Sequence, residues 1–123
     1  MDVHKIDELN AAAKELEHRR ALASARQERE SGRKALLDAL MEADRQADHL
    51  RSWIAGQETH HAPETPGEVS RMLRWAGDEL AVLETMTAPA QIAEVLRRQN
   101  LFPDVDTLAD PQGDPPPLRP WGR

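Results

Sequence analysis

The sequence predicts an all-α protein: a long amino-terminal helix of coiled-coil character, two shorter helices after it, and a proline-rich extended tail. Three observations carry that prediction. No proline occurs before Pro63, and residues 4–55 are mostly strong helix formers with an apolar rhythm. Aromatic residues make up only 3% of the chain (Trp53, Trp75, Phe102 and Trp121, with no tyrosine), whereas β-sandwiches and barrels rely on aromatic and β-branched side chains. The length of 123 residues allows one small core and little more.

The first element covers residues 1–55. Ile6, Leu9, Ala13 and Leu16 are spaced three, four and three apart, as in a coiled-coil seam. Continued in register, the seam meets Arg20, Ala23, Gln27 and Glu30 and fades. It resumes at Leu36, Leu40, Ala43, Ala47, Leu50 and Ile54, broadened by Leu37 and Trp53, one residue out of phase with the first part. The slip falls near Ser31 and Gly32, and two structures fit it. The chain can fold back at Gly32 as a helical hairpin, or it can run on as one helix about 75 Å long, with glycine costing roughly 1 kcal/mol relative to alanine. Because Glu28, Arg29, Glu30, Arg33 and Lys34 surround the glycine with helix formers, the continuous helix is the expectation.

Gly56, Pro63, Pro66, Gly67 and the pair His60 and His61 mark a loop, assigned to 56–64. A helical pair follows over 65–102. Thr65 and Glu68 have the spacing of a capping box with Pro66 at the first helical position, and Val69, Met72, Leu73, Ala76, Leu80 and Leu83 mark an apolar face ending near Thr85. Thr87, Ala88 and Pro89 suggest a second cap, opening a short helix that carries Ile92, Val95 and Leu96 and ends near Asn100. Leu101 and Phe102, ahead of Pro103, are expected to fold back onto the bundle. The tail, 103–123, holds six of the nine prolines and, before position 115, four aspartates. Its run Pro115–Pro120 favours polyproline II, with Leu118 and Trp121 as anchors for its own bundle or for a partner groove.

The net charge of −6 is uneven: residues 1–34 carry eight basic against seven acidic side chains, and the remainder eight against fifteen. An acidic chain repels phosphate backbones at long range. The local exception lies between Lys14 and Lys34, where interleaved acids at pair spacing, such as Glu15 with Arg19 and Glu30 with Lys34, describe a solvated helix face.

Chemistry is sparsely signalled. The absence of cysteine excludes disulfides, zinc–thiolate sites and a thiol nucleophile. His60 and His61 are adjacent, with Glu58 and His49 nearby, but no HExxH spacing converges on an ion, so exposed loop histidines are expected. Asp104–Asp106 lacks the glycine and closing glutamate of a calcium loop, and no phosphate-binding or nucleophile-elbow motif occurs. A helix-turn-helix over 69–102 would place Arg97 and Arg98 at the wrong end of its recognition helix. No enzyme activity and no cofactor are therefore expected. Nor does any stretch reach the apolar length of a signal sequence or a membrane span, which suggests a cytoplasmic protein with no membrane partner.

The apolar seams set the functional expectation: a non-enzymatic protein-interaction module, acting as an adaptor, regulator or inhibitor. Its expected interface is Leu36, Leu40, Ala43, Ala47, Leu50, Trp53 and Ile54, with Leu118 and Trp121 from the tail, and a homodimer is the first expected assembly. The alternative is a nucleic-acid-associated accessory or regulatory protein that uses Arg19, Arg20, Arg26, Arg29, Arg33 and Lys34.

Overall fold

The computed structural model describes residues 2–61 and 66–116, in which there are three helices and no strand. Helix α1 is Val3–His60, α2 is Glu68–Met86 and α3 is Pro89–Gln99.

Helix α1 runs unbroken through Ser31 and Gly32. One glycine removes no backbone donor, and helix formers on both sides keep the hydrogen-bond ladder going. The seam changes phase there without a hairpin. The helix also continues past residue 55, so the loop expected to start at Gly56 begins only after His60. A Cβ at Gly56 would meet nothing within 4 Å. The Thr59 hydroxyl donates to the Gly56 carbonyl (2.7 Å), and the His61 amide donates to the Gln57 carbonyl (3.0 Å). With no proline before 63, nothing in this stretch ends the ladder earlier.

The entry to α2 differs from the expected capping box. Gly67 is the N-cap, with φ of 142° and no side-chain cap bond, and Pro66 precedes the helix rather than starting it. That φ is open to glycine and costly for any other residue, so Gly67 makes the turn. Thr65 lies outside the described residues. At the far end, Thr87 closes α2 instead of opening α3: its hydroxyl donates to the carbonyls of Leu83 (3.4 Å) and Glu84 (3.3 Å). Ala88, in an extended conformation, is the N-cap of α3, and Pro89 follows at the first turn, where its missing donor costs nothing. Asn100 ends α3 in the left-handed conformation (φ 52°), and its amide turns back to the carbonyls of Leu96 and Arg97.

The described residues divide into two compact units, one of 2–32 with 103–116 and the other Arg33–Phe102. In the Arg33–Phe102 unit, α2 reverses beside the carboxy-terminal half of α1, and an Arg51–Glu84 ion pair (3.0 Å) joins the two helices. The core of this unit is small. Ala43, Ala47, Ala76 and Leu101 are 3–4% exposed, and Leu36, Leu40, Leu50 and Ile54 of α1 are half-buried, as are Leu73, Leu80 and Leu83 of α2. Alanines are the most buried positions of α1 and α2, and the half-buried leucines beside them supply most of the apolar burial. Leu101 is buried as expected. Phe102 instead stays 61% exposed, with the Arg33 guanidinium 4.2 Å above its ring while Arg33 Nε donates to the Leu101 carbonyl (2.8 Å).

In the other unit, residues 103–116 form a strap without regular secondary structure along α1. The half-buried residues of this part of the helix are Leu16, Leu22, Ala23, Ala25 and Gly32, with Arg19, Arg20, Arg26 and Arg29 among them. The heptad pattern fades over this stretch because, after Leu16, the covered face is built from small alanines, arginine stems and a single leucine, Leu22, which lies off the seam register.

Candidate interaction surfaces

Two surfaces stand out, one in each unit. In the Arg33–Phe102 unit, α1 and α2 border an open groove of about 470 Å³, lined by Arg45, Gln46, His49, Leu50 and Trp53 of α1 and by Trp75, Ala76, Glu79, Val82 and Leu83 of α2. Its two tryptophans, Val82 and the two leucines make most of its surface apolar, with Arg45, Gln46, His49 and Glu79 as polar groups among them. Trp75 is 62% exposed, Val82 58% and Trp53 39%. Met72 and Met86, also exposed, continue the same stripe of α2, since positions 72, 75, 79, 82 and 86 recur at three- and four-residue spacing, with Glu79 the one polar member.

Of the seam residues expected to meet a partner, Ala43 and Ala47 are buried within the chain, Leu36, Leu40, Leu50 and Ile54 are half-buried, and only Trp53 stays exposed. Leu50 and Trp53 line the groove. Leu118 and Trp121 lie outside the described residues. Trp75, Val82 and Met86 escape a reading that looks for a single apolar face on α2. The signal was available: a second stripe of heptad spacing runs beside the first, and one helix can present both.

The second surface is the arginine-lined face of α1 under the strap. Arg29 forms a fork to both carboxylate oxygens of Asp106 (2.9 and 3.4 Å). Arg26 donates to the Leu108 carbonyl (2.5 Å) and to Asp114 (2.6 Å). Arg19 Nε pairs with Asp110 (2.9 Å) while its terminal nitrogen reaches the Gly113 carbonyl (3.2 Å), and Arg20 Nε donates to the Pro116 carbonyl (3.4 Å). The Asp110 side chain is 5% exposed. The hydrogen bond from Arg19, aided by the Gln112 amide, holds its carboxyl below the ordinary aspartate value. The Asp106 hydrogen bond in turn raises Arg29. Aspartates four residues apart, at 106, 110 and 114, thus each meet a guanidinium, in the charge-assisted geometry that favours arginine over lysine.

Of the residues weighed for nucleic acid, Arg19, Arg20, Arg26 and Arg29 are engaged by the strap, Arg33 by Leu101 and Phe102, and Lys34 is exposed. Arg19 is thus joined to Asp110, ninety-one residues away, where helical spacing suggests an intrahelical pair with Glu15. Elsewhere Glu42 is held at about 2 by hydrogen bonds from Arg45 and Gln46, an exposed ion-pair cluster on α1. Among the described residues no group of three or more histidine, cysteine, aspartate or glutamate side chains is placed to hold a metal ion. Among them, too, no helix is long and apolar enough to cross a membrane. Comparison with known proteins finds no matching family, no matching curated protein and no matching solved structure.

Proposed function

We propose that the chain is a non-enzymatic protein-interaction module whose working surface is the apolar groove between α1 and α2. The observation that carries this is the exposure of Trp75, Val82, Met72 and Met86 on one stripe beside Trp53. Large apolar residues grouped on a surface mark interaction sites rather than chance exposure. Tryptophan contributes disproportionately to binding energy, and methionine adapts its shape to a partner. The groove suits an amphipathic helix, with the α2 stripe giving anchor points at helical spacing. A second copy of the chain is the first partner to consider, because α1 carries an exposed seam of its own in Ile6, Leu9 and Ala13.

Sedimentation over a wide concentration range, with Trp75→Ala and Val82→Asp as variants, tests the proposal. Association of the parent chain that both variants lose supports it. A parent chain that stays monomeric throughout and captures no partner refutes it. The nucleic-acid reading has less support, because the arginines it needs are held by aspartates and carbonyls of the strap.

A further inference from the structure

The strap is itself a ligand seen in place, and its chemistry is explicit. It offers carboxylates at four-residue spacing and backbone carbonyls at Leu108, Gly113 and Pro116, all of them acceptors, to a helix face that offers guanidinium donors. The strap does not fill this face. A cleft of about 690 Å³ stays open along Arg20, Arg26 and Arg29, with Glu30 on the same helix and Asp114, Pro115 and Pro116 on its other side.

We propose that the arginine face of α1 is a second docking surface, specific for extended acidic peptides of a partner protein, and that residues 104–116 occupy it in cis as a competing internal ligand. Nothing in this role rests on the apolar groove. Charge complementarity selects the occupant: an extended peptide with carboxylates four residues apart reproduces what Asp106, Asp110 and Asp114 provide. A tethered competitor acts at a high effective concentration, so an external peptide binds weakly until the strap loosens.

The test uses the full-length chain and a fluorescent synthetic peptide with the sequence of residues 104–116. Anisotropy titrations compare the parent with the variant Asp106→Asn/Asp110→Asn/Asp114→Asn. The variant is expected to bind at least about tenfold more tightly, as follows when a competing internal state is removed. That binding is lost when Arg19→Gln, Arg26→Gln and Arg29→Gln are added, or when the aspartates of the peptide become asparagines. A folded triple variant that does not bind the peptide overturns the proposal. So does one that binds a DNA or RNA oligonucleotide while ignoring the peptide. If the triple variant loses its helical circular dichroism, the fluorescent peptide is titrated into the single variant Asp110→Asn, whose strap is loosened at its most buried ion pair. Tighter binding than to the parent supports the proposal, and no binding at millimolar peptide overturns it.

Discussion

Replacing Ala47 by leucine tests whether the second seam of α1 is closed by the chain itself. Ala47 is 3% exposed within a single chain, beside an equally buried Ala43 one turn away. Leucine replaces one hydrogen of the alanine methyl with an isopropyl group for which there is no room, so the packed helices must separate or adopt strained rotamers. Overpacking of this kind costs about 1–3 kcal/mol. The same change on an open helix face costs only about 0.2 kcal/mol in helix propensity, and exposed substitutions in general stay within about 0.5 kcal/mol. The two cases are well separated. With a cost near the middle of the range, about 2 kcal/mol, a unit of this size should melt roughly 8–16 °C lower. Urea unfolding followed by circular dichroism at two protein concentrations reads the effect. A change below about 0.5 kcal/mol would refute the view that Ala47 packs against its own chain. A parent stability that rises with protein concentration would show instead that closing the seam requires a second copy.

Leu101→Ala removes the one large side chain that is almost fully buried among the described residues, and should cost about 2–3 kcal/mol, at the lower end for leucine because so small a core can partly collapse; denaturant midpoints measure it. Gly77→Ala, in the interior of α2 where a Cβ meets nothing within 4 Å, should stabilise the chain by about 0.5–1 kcal/mol and raise its melting temperature. Docking of the strap should depend on acid. The folded pKa of Asp110 lies below its ordinary value of 3.8, so its contribution is complete above that pH and is lost as the pH falls through the depressed value. Carboxyl NMR of Asp110 together with the Arg19 Nε–H signal should show release at the acid end of the titration and constant docking above about pH 5.

The helices were legible because their causes are local. Proline-free helix formers account for α1, and the heptad phase slip at Gly32 was compatible with the unbroken helix that forms. Pro89 placed the start of α3, and the residues after Asn100 were rightly expected to turn back, at least for Leu101. Boundaries governed by weaker preferences were less legible. Gly56 looked like a breaker but sits inside α1, and Thr87 looked like an N-cap but closes the preceding helix. The strap was the least legible part. Its pairs join residues 77 to 96 positions apart, and helical periodicity offers Arg19 only its neighbours as partners. Asp106, Asp110 and Asp114 at regular spacing were present in the sequence, but equal spacing in a segment with no helix or strand has no meaning until the opposing arginines are placed.

The carbonyl contacts of the strap have a consequence for how this chain can vary. Leu108 and Pro116 are held through main-chain oxygens, which every amino acid possesses. Substitutions at the exposed Pro116 leave its bond in place, and those at the half-buried Leu108 keep the main-chain bond while changing its side-chain packing. Gly113 is constrained in a different way, because its φ of 79° at the turn from Asp110 excludes most side chains. Close homologues that keep the attachment should therefore retain three aspartates and one glycine in this stretch and differ freely between them, a pattern that a search for hydrophobic similarity would pass over.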